Sequence, residues 1–246
     1  MSLIGAYVRI HIMISVLVVD DHELVRVGVE RLLADAEDIE VIGEAENGEE
    51  AVEKAKQLQP NVVLMDINMP GLGGMEATRK ILRVAENSQI IIVSVIDTEP
   101  FPSRLLQLGA RGYLSKDSTP DELKEAIRTV KKGERYLNPK IAQQLALQHL
   151  AEGAESPFET LSERELQVMQ MIINGQKAPD IAEKLCLSSK TVNSYRYRLF
   201  DKLKVDSDVE LTHMAIKYGL LKLEELTTNA ENMLQKDAAN DHSSGA

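Results

Sequence analysis

Apolar residues in the first half of the chain follow two alternating rhythms. Ile14–Val19, Asn61–Met65 and Gln89–Val95 are short, nearly uninterrupted and β-branched, the pattern of strands covered on both faces. Ile39–Ala45 and Gly112–Leu114 read as two further strands. Between these runs the apolar spacing changes to three and four residues. Glu23–Ala34 carries Leu24, Val25, Val27, Leu32 and Leu33, and Gly48–Leu58 is entered through Asn47 and stopped before Pro60. Gly73–Arg83, Phe101–Leu108 and Asp121–Lys132 complete the set of helices. Five strands alternating with five helices predict an α/β unit, a doubly wound parallel sheet with right-handed crossovers. In such sheets, ligand chemistry gathers at the carboxyl ends of the strands, near the switch in strand order.

Beyond Gly133 only the helical spacing persists. An amphipathic stretch (Ile141, Leu145, Leu147, Leu150) gives way to Ala151–Pro157, whose Gly, Ser and Pro read as a linker. Ser162 with Glu165 three residues on forms a capping box, and that helix stops at Asn174-Gly175. Pro179–Leu185 is a short helix with Ile181, Ala182 and Leu185 facing in. Cys186–Ser188 is a turn, and Ser189–Leu203 a third helix with Val192, Tyr195, Leu199 and Leu203 on one face. Two helices joined by such a turn make a helix-turn-helix, the second free to enter a major groove. Cys186 is expected as a small core residue between the helices.

The expected organisation is therefore an N-terminal extension (1–12), an α/β domain (13–133), a linker (134–156), a small all-α four-helix domain (157–222) and a mostly disordered tail (223–246). The first dozen residues lack the features of a signal peptide, and Met13 is the expected true start because it opens a clean strand pattern. At 246 residues two small domains fit, and an apolar fraction of 43% excludes wholesale disorder. One cysteine excludes an internal disulfide framework, and no apolar run nears the ~20 residues of a membrane span, so a cytoplasmic location is expected.

A net charge of −11 argues at first against nucleic acid as a partner, but that charge is segregated. Met13–Tyr136 holds 15 basic and 23 acidic residues, whereas Leu161–Lys204 holds eight basic and five acidic. The third helix of the small domain offers Lys190, Thr191, Asn193, Ser194, Arg196, Tyr197, Arg198 and Lys202 as outward residues, opposed only by Asp201. Asn and Arg suit base edges, while Lys, Ser and Thr suit phosphates. A solvated face on an ordinary helical bundle is the plain alternative for this helix alone.

The strand ends carry the other candidate chemistry. Strand one ends in Asp20-Asp21, strand three in Asp66 and strand four in Ser94, while strand five continues through Tyr113 to Lys116. Each alone has an ordinary reading: an acid pair as a loop or cap, a small serine, a surface lysine, a core tyrosine. His22, next to the acid pair, reads as a solvated helix-start residue. Their arrival together at one end of the sheet is what points to a site. Clustered carboxylates are relieved by a hard divalent cation, and Mg²⁺ suits one or two carboxylates with phosphate oxygens. Asp66 is the candidate nucleophile for an aspartyl-phosphate, and Lys116 and Ser94 can meet phosphoryl oxygens.

Val16–Asp21, Val63–Gly71 with Gly74, Val93-Ser94 and Gly109–Lys116 strongly resemble the receiver domain of bacterial response regulators, a flavodoxin-like fold. That resemblance implies phosphorylation of Asp66 by a sensor histidine kinase. It also implies Mg²⁺ held directly by Asp21 and Asp66, through water by Asp20, and by the backbone carbonyl of Asn68. Ser94 matches the switch hydroxyl, often Thr in the family, and Tyr113 the switch aromatic. Leu161–Glu165, Asp180–Leu185, Ser188–Ser194 and Lys202–Val205 resemble the LuxR-type helix-turn-helix.

Together the two domains match the NarL/FixJ class, closest to the GacA/UvrY global regulators. That class implies a fourth helix (206–217) for dimer contact, a homodimer on double-stranded DNA, and a BarA/GacS-like kinase. It further implies control of small RNAs in a post-transcriptional circuit. A haloacid-dehalogenase-type phosphatase also uses an aspartyl-phosphate, but places a second Asp two residues after the nucleophile, where this chain has Asn68. No enzyme turning over a small substrate is therefore expected. A protein-interaction adaptor is the third reading, which salt-dependent DNA binding would distinguish.

Overall fold

The computed structural model describes residues 13–96, 100–150, 156–218 and 220–221. The expected N-terminal extension and C-terminal tail lie outside the described residues. The first domain contains β1 (Ile14–Val19), α1 (Glu23–Leu33), β2 (Ile39–Ala45), α2 (Gly48–Leu58), β3 (Val62–Met65), α3 (Gly74–Val84), β4 (Gln89–Ser94), α4 (Phe101–Leu108), β5 (Gly112–Ser115) and α5 (Pro120–Lys131). All strand pairs are parallel, in the order β2-β1-β3-β4-β5-β6. The sixth strand, β6 (Tyr136–Leu137), corrects the expected count of five. It lies in the stretch read as linker, and its two half-buried residues are too few to show a period.

β3 is buried at every position, as its unbroken apolar run requires. One face of the sheet packs on α1 and α5 through Leu33, Leu123, Ala126, Ile127 and Val130. The other face packs on α2, α3 and α4, and its apolar cluster continues into the small helical domain. Helix α1 departs from the expected stripe. Leu24 is 84% exposed and Val27 50%, whereas Leu33 is buried and Val29 packs on the core. The spacing gave the helical period, but two overlapping stripes satisfied it and only one could face the sheet.

The second domain follows α6 (Pro139–Leu150) and begins with a short 3₁₀ turn (Pro157–Thr160). It continues through α7 (Glu163–Ile173), α8 (Ala178–Lys184), α9 (Ser189–Leu203) and α10 (Asp208–Lys217). The capping box is complete: Ser162 accepts the Glu165 backbone N–H, and the Glu165 carboxylate accepts the Ser162 N–H at 2.7 Å. Val192, Leu199 and Leu203 are buried against α7 and α8, with Tyr195 half-buried beside them. Cys186 is exposed, with φ at +52°, which corrects the expectation of a core residue. The tight turn puts it in the left-handed region and aims its side chain outward.

Buried Glu165 also accepts the Lys202 ammonium at 2.6 Å. Burial opposes its charge, but the bonds from Lys202 and Ser162 outweigh this and hold the carboxyl below its ordinary value. A depressed folded value gives stability present above the unfolded value and lost as pH falls through the folded one. Glu165→Gln is expected to destabilise the helical domain by about 1–2 kcal/mol at neutral pH, discounted because Lys202 is part-exposed. That difference should close as the carboxyl protonates in acid. Urea unfolding across a pH series checks this, and a difference constant with pH would refute it.

Candidate phosphoryl site and nucleic-acid interface

The sheet register builds the first site. Val19 pairs with Met65 across β1 and β3, so the next residues, Asp20 and Asp66, emerge side by side, and Asp66 N–H donates to the Val19 carbonyl at 2.9 Å. Ser94 pairs with Ser115, and the Lys116 N–H donates to the Ser94 carbonyl at 3.1 Å, bringing the lysine to the same end. Its ammonium lies 2.6 Å from Asp20 Oδ2 and 3.2 Å from Asp66 Oδ2.

Both carboxylates are almost wholly buried, at 3% exposure each. Burial raises the Asp66 carboxyl above its ordinary range; Lys116 pulls it down and the neighbouring Asp20 charge pushes it up. Lys116 shows the reverse balance. Burial works against its charge, yet Asp66 and Asp20 outweigh burial and hold the ammonium above its usual value.

Supporting bonds fix the pair. Asp66 Oδ1 accepts the Ile67 N–H at 2.8 Å, Asp20 Oδ1 accepts the His22 N–H at 2.9 Å, and Arg26 donates to the Asp20 carbonyl at 2.7 Å. Arg26 is itself held by Glu44 at 3.0 Å. Its role was not legible in sequence, because nothing local links Arg26 to a strand end. Asp21 sits at the rim, its Oδ1 2.9 Å from the His22 Nδ1. Three carboxylates, Asp20, Asp21 and Asp66, gathered at one end of the sheet are an all-oxygen donor set that fits a hard divalent cation. Asn68 is exposed at the mouth.

Ser94 and Tyr113 meet at Ile96. Ser94 Oγ accepts the Ile96 N–H at 3.1 Å, and the fully buried Tyr113 donates its hydroxyl to the Ile96 carbonyl at 2.5 Å. Both side chains therefore hold the segment that follows β4.

On α9 the structure divides the eight predicted residues. Lys190, Ser194, Tyr197 and Arg198 are exposed, Tyr197 at 73%, with Thr191 and Asn193 half-exposed beside them. Arg196 faces α10 instead: its Nε lies 2.8 Å from Asp208 Oδ1 and its guanidinium 5.3 Å from the Phe200 ring centroid. Lys202 is directed into its own domain, to Glu165 and the Thr160 carbonyl. These two lie near the core stripe of the helix, which the sequence reading placed outward.

The model of the response regulator receiver domain matches residues 16–128, and that of the bacterial regulatory proteins of the luxR family matches residues 159–215. Response regulator GacA of Pseudomonas protegens is 54% identical over 209 residues, covering 85% of this chain and 98% of the relative. The chain belongs to the response regulators. Response regulator UvrY of Escherichia coli K12 is likewise 54% identical over 217 residues, covering 88% of this response regulator and all of the relative. Among solved structures, a complex of the two-component response regulator RcsB with DNA is 25% identical, with a TM-score of 0.53, covering 82% of this chain and 97% of that one. This response regulator thus joins a receiver to a LuxR-type DNA-binding domain, as its relatives do. Among the described residues no helix is long and apolar enough to cross a membrane.

Proposed function

We propose that a sensor histidine kinase phosphorylates this chain on Asp66, and that the chain then regulates transcription through α9. The observation carrying this reading is Lys116 held between two buried carboxylates that the β1–β3 register sets side by side. In the transfer, an Asp66 carboxylate oxygen bonds to phosphorus as the phosphorus–nitrogen bond of a phosphohistidine breaks, and the imidazole leaves. Asp21 and Asp66 would hold Mg²⁺ directly, Asp20 through water, with the Asn68 backbone carbonyl as a further ligand. Bound there, the ion supplies charge neutralisation to phosphoryl oxygens. Lys116 contributes the same from the protein side.

Ser94 and Tyr113 serve as the switch. Their shared hold on Ile96 supports this role, because drawing Ser94 towards a phosphoryl oxygen gives up the Ile96 N–H and frees the segment that Tyr113 also binds. Lys190, Thr191, Asn193, Ser194, Tyr197 and Arg198 form the DNA face. Exposed Val209 on α10 supports the pairing of two copies on a two-fold operator. By their likeness to GacA and UvrY, a BarA/GacS-like kinase and small-RNA promoters are the proposed input and targets. The cytoplasm is the proposed location, and turnover of a small substrate is no part of this reading.

Salt-titrated DNA binding tests the nucleic-acid half. Arg198→Ala is expected to lower affinity about five-fold and to flatten the salt slope by about one, while Arg196→Ala changes affinity less than two-fold. Unchanged binding by Arg198→Ala would remove that residue from the interface. An affinity that does not depend on salt would favour the adaptor reading.

A further inference from the structure

The peptide that joins Asp20 to Asp21 is held by a guanidinium. Arg26 Nη1 donates to the Asp20 carbonyl at 2.7 Å, and its Nε donates to Glu44 Oε2 at 3.0 Å. The side chains of the two acids have other partners: Asp20 takes Lys116 and the His22 N–H, and Asp21 Oδ1 lies 2.9 Å from His22 Nδ1. The Asp20 N–H is fixed as well, donating to the Ala45 carbonyl of β2 at 3.0 Å. Both backbone groups of Asp20 are thus tied to the end of β2, one directly and the other through Arg26 and Glu44.

The placement of this arginine runs against the helix that carries it. Arg26 stands in the opening turns of α1, its N–H bonded to the His22 carbonyl, where a cation faces the positive end of the helix dipole. Its side chain is 12% exposed, so it is no solvated surface charge. A part-buried cation costs stability unless it is paired, and Glu44 supplies the pairing while Lys54 donates to the Glu44 carbonyl. A local rule broken in this way marks a position that serves the site more than the helix. What Arg26 serves is the turn from which two carboxylates project.

We propose that Arg26 is a positioning residue for the cation site: by fixing the Asp20–Asp21 peptide it sets both side chains for a hard divalent ion, and its loss weakens Mg²⁺ binding. This rests on Asp20, Asp21 and Asp66 holding the ion. The sign of the effect separates the role from plain electrostatics. A nearby positive charge repels a divalent cation, so if Arg26 acted through charge alone its removal would tighten Mg²⁺ binding. As a strut it acts the other way. Without it the turn is looser, and the ion must order the carboxylates at the expense of affinity.

The test is calorimetric titration of Mg²⁺ into the unphosphorylated full chain. Arg26→Met is expected to raise the Mg²⁺ dissociation constant about ten-fold. The Mg²⁺ concentration for half-maximal labelling from phosphoramidate should rise by a similar factor. Arg26→Gln should move both in the same direction, and it decides alone if Arg26→Met shows no cooperative unfolding. Arg128→Met is the control: it removes an ion pair to Asp38, which precedes β2 at the opposite end of the sheet, and should leave Mg²⁺ affinity within about two-fold. Unchanged or tighter binding by the folded Arg26 variants overturns the strut, and so does an equal loss in Arg128→Met, which would mark general destabilisation. In either case wild-type binding leaves the cation site standing. Absence of Mg²⁺ binding to the wild-type chain overturns the cation site itself, and the strut with it.

Discussion

Asp66→Asn is expected to leave the full chain unable to incorporate phosphoryl groups, with labelling from phosphoramidate falling at least about 100-fold. The amide cannot form the acyl-phosphate bond, and no described neighbour replaces it: the Asp20 carboxylate is committed to Lys116 and the His22 N–H. The fold should survive. Asp66 carries a buried charge that burial and Asp20 both oppose, so its neutral near-isostere removes that cost while giving up the contact with Lys116. In the absence of metal the two effects offset, and the unfolding free energy is expected to change by no more than about 1 kcal/mol. Labelling at the wild-type rate would refute the site; a collapse in stability would refute the electrostatic account of it.

Gly74→Ala should produce the opposite pattern, a structural failure at a position that performs no chemistry. A Cβ on Gly74 would lie 2.0 Å from the Asp66 carbonyl oxygen and 2.8 Å from the Ile67 Cα. Both are backbone atoms, so no rotamer relieves the overlap. Helix α3 would have to lift off the end of β3, breaking the Gly74 N–H bond to the Ile67 carbonyl (3.1 Å) and shifting the phosphoacceptor. The expected cost is roughly 3 kcal/mol or more, about 10 °C in the receiver's melting temperature. Gly28→Ala is the control: its Cβ meets nothing within 4 Å, and mid-helix alanine should be neutral or stabilising by up to about 1 kcal/mol. Calorimetry of both variants decides, and a Gly74→Ala loss below about 1 kcal/mol would show that the loop yields easily.

Much of this was legible in the residues. β-branched runs located β1, β3 and β4, and because parallel strands deliver their last residues to one edge, Asp20, Asp66 and Lys116 group together from sequence alone. What sequence could not supply was phase and distance. Helical spacing in α1 was satisfied by two stripes, and the exposed one held Leu24 and Val27. On α9 the spacing could not show that Arg196 meets Asp208, or that the exposed Lys202 reaches Glu165, because both partners lie on other helices. Arg164 and Gln167 gave no local sign of their contact with Met69 and Gly71, some 90 positions earlier, because a seam between domains leaves no period in either. β6 failed for a simpler reason, being too short to show a pattern.

The solvent-facing turn between α8 and α9 has a practical use. Cys186 is the chain's only cysteine and stands two residues before Ser188, which caps α9. A thiol-reactive dye would therefore attach at a single place, at the start of α9, with no engineered substitution. Its signal would report the surroundings of the α8–α9 turn, whose Lys184 carbonyl bonds the Gly71 N–H of the receiver.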